Sequence, residues 1–297
     1  ADPDCPSDCR GEVLIPAGQY QVGNDSNIRW SAPAHEVILD AYYIDITEVT
    51  LEEFVPFANG LDNLCDGVPC LYTSQSPNVT DSGGGLTINP GYELYPAETP
   101  TWQGARAYCE SIGKRLPTGH EWEVAASGGD GRTYPWGEAS PGASLDNCEE
   151  GICDDGWSGS APVCTFPDGA SPFGVLSMAG NVREWTSYSW QTDYYSTLSD
   201  PADNPTGPPE SAVKELRGGS WYAWGDITTL YTYSRGGQTG NSPDSSMGFR
   251  CARSTGEHLC DDGVDNDGDG LIDCEDPGCE GRICGDEGVV CNGGACG

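Results

Sequence analysis

The chain has 297 residues, enough for one large domain or two modest ones with a buried core, and sets 47 acidic against 13 basic side chains for a formal net charge of −34. That excess excludes a nucleic-acid partner, which needs clustered Lys and Arg, and favours cations as company. No run of about 18 apolar residues is present to span a membrane, and the 15 cysteines, scarce in CxxC pairs, point to disulfides in an oxidising compartment instead of zinc.

The odd cysteine count leaves at least one thiol free or joined to another chain. No signal peptide is present, so Ala1 is expected to be a processed terminus. Residues 1–10 form a Pro- and Asp-rich arm with Cys5 and Cys9 but no apolar face, so a disulfide is expected to tie it down. Short strands are predicted at Val13–Ile15 and Tyr20–Val22 around Pro16–Gly18, then at Glu36–Leu39 and Tyr42–Ile46, where apolar and polar residues alternate as in half-buried strands. His35 has no second histidine near it in sequence and reads as a structural hydrogen-bonding residue, not a metal ligand.

A helix is predicted over Thr50–Asn59, opened by a capping box of Thr50 and Glu53, with Leu51, Phe54, Val55 and Ala58 as its apolar stripe. Cys65 and Cys70 share a Gly- and Pro-containing loop, and their short spacing without a histidine favours a local disulfide over zinc. Tyr72–Pro96 is Ser-, Asn- and Gly-rich, a long surface loop of the kind that carries binding function. Within it Asn78-Val79-Thr80 fits a glycosylation acceptor in a host that glycosylates. Helices are expected at Thr101–Ile112, closed by Gly113, and at Thr118–Ala126, opened by a second capping box of Thr118 and Glu121. His120 reads as a solvated surface residue.

Tyr134–Asp168 is irregular and contains Cys148, Cys153 and Cys164. Two of the three are expected to pair with each other and the third with a partner elsewhere. Three dense strings follow: FGVLSMAGNVREW at 173–185, LRGGSW at 216–221 and MGFRCAR at 247–253. Gly174, Gly180, Gly218 and Gly219 supply backbone freedom where Trp185 and Trp221 need the chain to pass close. The pattern points to compact irregular backbone, whose amides and carbonyls must be satisfied by turns, waters or ions. Glu184 among such carbonyls suits a hard cation such as calcium, and equally a salt bridge to a nearby arginine.

Together with LIPAGQYQVG, PAHEVILDAYYIDITEVT and TWQGARAYCESIGKRLPTGHEWEVAASGG, these strings resemble the formylglycine-generating enzyme family, the sulfatase-modifying factors, over residues 11–255. The resemblance implies an α+β, C-type-lectin-like fold low in regular secondary structure, with Cys109 bonded to Cys251. It implies two calcium sites. The first takes Asn147 and Asp155 by side chain and Cys148 and Trp157 by main-chain carbonyl. The second takes Glu184 by side chain with the carbonyls of Gly180 and Val182, and Ser177 stands where relatives tend to carry Asn.

The family oxidises a substrate cysteine to an aldehyde with a copper ion held by two cysteines of its own, just upstream of an NTPDSS-like string. Soft thiolates are what monovalent copper needs. Counting back from NSPDSS at 241–246 puts Arg235 and Leu230 in the two places, and no cysteine lies between Arg217 and Arg250. The chain is therefore expected to be non-catalytic. The histidines His35, His120 and His258 are too scattered for the triad of the iron-dependent enzymes that share the fold, and none sits in a Ser-His-Asp or Cys-His arrangement. What remains is a candidate ligand-binding cleft of Trp221, Tyr222, Trp224, Tyr231 and Tyr233 with Arg235, suited to sugar or peptide surfaces, unless these rings are core.

Residues 256–297 hold six cysteines and one arginine and have few large apolar side chains, so disulfides and metal are expected to hold them together. The run from Asp265 to Asp273 matches a calcium loop of the EF-hand type, with Asp265, Asp267 and Asp269 at positions one, three and five and Gly270 at the turn. Leu271, Asp273 and Asp276 complete the candidate set, with Cys260 and Cys274 where helices usually flank it. This resembles the calcium repeats of thrombospondin-like and dockerin-like modules. The expectation is a secreted or cell-surface, non-catalytic binding or structural protein, stabilised by calcium and disulfides, that self-assembles or meets a cell-surface glycan or protein. An oxidoreductase or other enzyme on the same fold and a lectin-like module are the alternatives.

Overall fold

A computed structural model describes residues 9–149, 152–222 and 225–255. Cys5, Trp224 and the whole calcium loop from Asp265 to Asp276 lie outside the described residues. Four strands open the fold: β1 (Glu12–Ile15), β2 (Gly18–Val22), β3 (His35–Leu39) and β4 (Tyr42–Asp45). In β3 the alternation holds, with His35, Val37 and Leu39 buried and Glu36 exposed. Helix α1 (Leu51–Gly60) starts at the expected capping box, where the Thr50 amide donates to Glu53 Oε2 at 2.8 Å, and it buries the four predicted apolar residues.

The next segment departs from expectation. Hairpin β5 (Leu64–Cys65) and β6 (Val68–Pro69) carries the Cys65–Cys70 disulfide, and a second hairpin, β7 (Val79–Asp81) with β8 (Leu86–Ile88), forms inside the stretch read as a surface loop. Val79 and Leu86 give that hairpin an inner face, which packs on α1. Asn78 is also buried and its Nδ2 donates to Glu98, so the glycosylation triplet offers no accessible amide.

Helices α2 (Trp102–Ser111) and α3 (Gly119–Ser127) follow, α3 with the predicted Thr118 cap and α2 capped by Thr101, whose side chain accepts the Gly104 amide. Every residue of α3 is buried, because the helix runs through the interior instead of lying on it with one wet face. His120 is consequently fully buried, which corrects its reading as a surface residue.

The remaining strands are β9 (Arg183–Ser189), β10 (Ala202–Asp203), β11 (Val213–Arg217), β12 (Gly236–Thr239), β13 (Met247–Gly248) and β14 (Ala252–Ser254). They complete three sheets, ordered β1-β4-β14, β10-β3-β2 and β12-β11-β9-β13. The last sheet brings the three dense strings side by side: Leu216 pairs with Trp185 in antiparallel register, and Met247 pairs with Arg183 in parallel. This is more regular than the irregular backbone expected there. Trp185 and Trp122 are fully buried beneath it.

Among the described residues, four disulfides pin these parts. Cys109–Cys251 joins α2 to the segment entering β14 across 142 residues, and Cys9–Cys164 ties the arm to the irregular section across 155. Cys148 bonds Cys153, so two of the three cysteines of that section do pair, and Cys164 finds Cys9. No helix among the described residues is long and apolar enough to cross a membrane.

Candidate functional site

The two positions that answer to the copper cysteines are both sealed. Leu230 ends a short 3-10 turn (Ile227–Leu230) and is 0% exposed. Gly219, at φ +69°, lies so near that a Cβ there would come within 2.8 Å of Leu230 Cδ2. Arg235 is buried too, its Nε donating to Glu215 Oε1 at 2.8 Å and its two Nη groups to the carbonyls of Trp30 and Gln191 at 3.1 and 3.3 Å. Its guanidinium lies over the Tyr195 ring at 4.1 Å. All eight described cysteines are in disulfides, so no described thiol stands near this place. These residues do not fit a copper ion, which needs soft donors where the chain has hydrocarbon and a cation.

The first calcium set is gathered, the second is otherwise engaged. Asp155 accepts the amides of Cys148 and Trp157 at 2.9 and 2.8 Å, which folds the loop onto Asn147. Asn147 donates through Nδ2 to the Gly159 carbonyl at 2.9 Å, while its Oδ1 is buried with no hydrogen-bond partner. An orphaned buried oxygen beside a carboxylate is a place a calcium ion fits. Neighbouring Asp146 has an unpartnered Oδ2, and burial, then the charge of Asp155, push its carboxyl up to about 8. The sulfurs near Asp146 form the Cys148–Cys153 disulfide and so offer no thiolate.

In the second set, Glu184 accepts Arg250 Nε on Oε2 and Arg250 Nη2 on Oε1, both at 2.7 Å, and Trp122 Nε1 at 2.9 Å. Both oxygens are taken and the charge is neutralised, so Glu184 is the partner of a bidentate ion pair, the other of the two roles its sequence left open. Ser177, Gly180 and Val182 are likewise buried. A Cβ at Gly180 would come within 2.3 Å of the Asn147 carbonyl oxygen, so this string and the first set touch.

The predicted aromatic cluster divides in two. Trp221 and Tyr222, the latter 41% exposed, line an open cleft of about 680 Å³ with Glu149, Asp154, Asp155 and Trp157. Trp157 and Trp221 also line an adjoining cleft of about 700 Å³ with Tyr92, Tyr95 and Glu98. No Lys or Arg lines either cleft. Tyr233 and Arg235 are not part of them: Tyr233 is buried against Tyr231, with ring centroids 5.4 Å apart, and Arg235 borders a separate cavity of about 70 Å³. An arginine with a buried carboxylate partner is drawn inward, which is why the side chain expected to greet a ligand does not reach the surface.

Sequence reasoning missed three buried acids and a histidine pair. Burial lifts Glu98 and Glu48 each to about 7, with Glu48 also raised by Glu184 and opposed by Arg250. Glu48 Oε2 has no partner, while its Oε1 accepts Asn181 Nδ2 at 2.9 Å. Asp146 is the third. His35 and His120 meet at their Nε2 atoms, 3.2 Å apart. No local signal marks these residues, because each depends on a partner far along the chain.

Residues 1–255 match the family described as the Sulfatase-modifying factor enzyme 1-like domain. The chain belongs to this family. It is 31% identical over 290 residues to the formylglycine-generating enzyme of Streptomyces coelicolor, covering 83% of this chain and 90% of that protein. It is 30% identical over 284 residues to the inactive C-alpha-formylglycine-generating enzyme 2 of Bos taurus, covering 82% and 88%. It is also 34% identical over 248 residues to the serine/threonine-protein kinase pkn1 of Chlamydia pneumoniae, covering 82% of this chain but only 38% of that protein. The chain thus spans well under half the length of the Pkn1 proteins it matches. Among solved structures, PvdO from Pseudomonas aeruginosa matches with a TM-score of 0.64 at 23% identity, covering 84% of this chain and 96% of that one. Treponema denticola variable protein 1 matches with 0.62 at 23%, covering 82% and 94%. These two likenesses establish the formylglycine-generating-enzyme fold and nothing finer. Family membership alone leaves activity open, since the relatives' names include both a working and an inactive form.

Proposed function

We propose that this chain is a non-catalytic member of its family, a secreted or cell-surface binding protein held together by disulfides and calcium. The observation that carries the reading is the closed pair Leu230 and Arg235, a buried hydrocarbon and a buried, fully engaged guanidinium where the family's chemistry calls for two thiolates. Disulfides at every described cysteine support an oxidising setting. Asn147 and Asp155 would hold the calcium ion, which would stiffen the loop that forms one wall of the cleft. The direct experiment incubates the chain with copper and a cysteine-containing sulfatase-type peptide and reads the peptide by mass spectrometry. Unchanged peptide is expected, and aldehyde product would overturn the reading in favour of an oxidoreductase.

The recognition surface in this proposal is the pair of clefts that meet at Trp157 and Trp221. Their aromatic faces and carboxylates suit a glycan or a protein surface carrying basic groups, and the net charge of −34 would draw such a partner in. A second, lectin-like reading rests on Trp221 and Tyr222 standing beside Asp155. A glycan array with calcium-loaded protein tests it: binding that is lost in Trp221→Ala favours the lectin, and silence removes it. Self-assembly is read from the mass under non-reducing conditions, with and without chelator.

A further inference from the structure

His35 opens β3 and His120 lies in the first turn of α3, 85 positions later in sequence, with their Nε2 atoms 3.2 Å apart. The positions of the protons follow from counting. His35 Nδ1 is 3.1 Å from the Pro33 carbonyl oxygen, which can only accept, so that nitrogen carries a hydrogen. His120 Nδ1 is 3.0 Å from Tyr188 Oη. Tyr188 spends its one proton on the Pro205 carbonyl, so its oxygen accepts and His120 Nδ1 must donate. The Nε2 contact is then a hydrogen bond only if one of those nitrogens also carries a proton. Three N–H groups on two rings exceed by one what two neutral imidazoles bring.

We infer that His35 and His120 hold one proton jointly between their Nε2 atoms, as a singly charged imidazole–imidazolium pair that clasps β3 to α3. Facing the pair are Glu123 from α3, Glu215 and Arg217 from β11, Arg235 from the segment before β12, Tyr188 from β9, and Tyr194 and Tyr195 from the turn at Tyr194–Thr197. Arg217 pairs with Glu123 at 2.7 Å and Arg235 with Glu215 at 2.8 Å, so each guanidinium beside the pair has a carboxylate partner. The shared proton meets the Tyr195 ring, whose centroid is 5.0 Å from that of His120 in a stacked arrangement and 4.7 Å from that of His35.

A second proton is excluded. Burial, with the positive charges of His35, Arg217 and Arg235, pushes His120 well below the ordinary histidine range. His120 takes up a further proton less readily folded than unfolded, so stability falls as pH drops below about 6.5.

The test uses the full chain with ¹⁵N-labelled histidine. At neutral pH both Nδ1 atoms of the pair are expected to be protonated, with a scalar coupling between the two Nε2 atoms across the shared hydrogen. Two neutral rings with one N–H each would overturn the inference, and so would a shift of both Nε2 signals on adding EDTA, which would put a metal between them. Separately, the wild-type Tm is expected to fall as pH drops from about 6.5 to about 5. His35→Gln and His120→Gln are each expected to lessen that fall; variants that fold and keep it in full would overturn the pair as its cause. If neither variant folds, the spectra of the wild-type chain decide alone.

Discussion

Asn78 donates through Nδ2 to Glu98 Oε2 at 3.0 Å, and Ser160 closes the other carboxylate oxygen, so an acid sits sealed behind the wall of the cleft it lines. Burial raises Glu98 to about 7, against the two hydrogen bonds that favour its charge. The folded state therefore holds this proton more firmly than the unfolded chain. Stability from this group is complete below the ordinary carboxyl range and is lost as pH rises toward 7. Glu98→Gln, which keeps the shape and removes the titration, is expected to raise Tm at pH 8 and leave it nearly unchanged at pH 4. Equal shifts at both pH values would show that Glu98 does not titrate in the folded chain.

Calcium should act through the first set and not the second. At a hundred times its Kd the ion would stabilise the fold by about 2.7 kcal/mol. Asp155→Asn is expected to lower the number of calcium ions bound by one, measured by titration calorimetry. Glu184→Gln should leave that number unchanged while lowering Tm with or without calcium, because it breaks a buried ion pair with Arg250. A loss of one ion in Glu184→Gln would return that residue to the ligand set.

The disulfides should rank by the length of chain they close. Replacing Cys109 and Cys251 by alanine releases a loop of 142 residues and is expected to cost on the order of 5 kcal/mol. The same change at Cys65 and Cys70, separated by 5, should cost about 2 kcal/mol. Denaturant melts of the two double variants measure the gap, and an equal loss would mean that chain entropy does not govern it.

Legibility in the sequence followed the reach of each interaction. Thr50 with Glu53 and Thr118 with Glu121 are three residues apart, so both helix starts could be read from the string, and both form. The Cys109–Cys251 bond came with the family likeness, and counting back from NSPDSS pointed to Leu230 and Arg235, which the fold buries. Strand β9 was missed because nearly all of Arg183–Ser189 is buried on both faces, which erases the alternation that marks a half-wet strand. His120 was misplaced for a related reason: α3 has no polar face to announce its orientation. Glu98, Asp146 and the histidine pair are defined by partners that only folding brings near, and single residues carry no trace of that.

The embrace of Arg235 and Glu215 bears on which side chains position 235 can accept. A change from Arg235 to Cys would leave the buried Glu215 with only Arg217 Nε at 3.7 Å and the Thr186 hydroxyl at 3.0 Å, a penalty of up to about 3–5 kcal/mol. A thiol at this place would call for a compensating change at Glu215. The ion pair works as a ratchet that holds the guanidinium where it is.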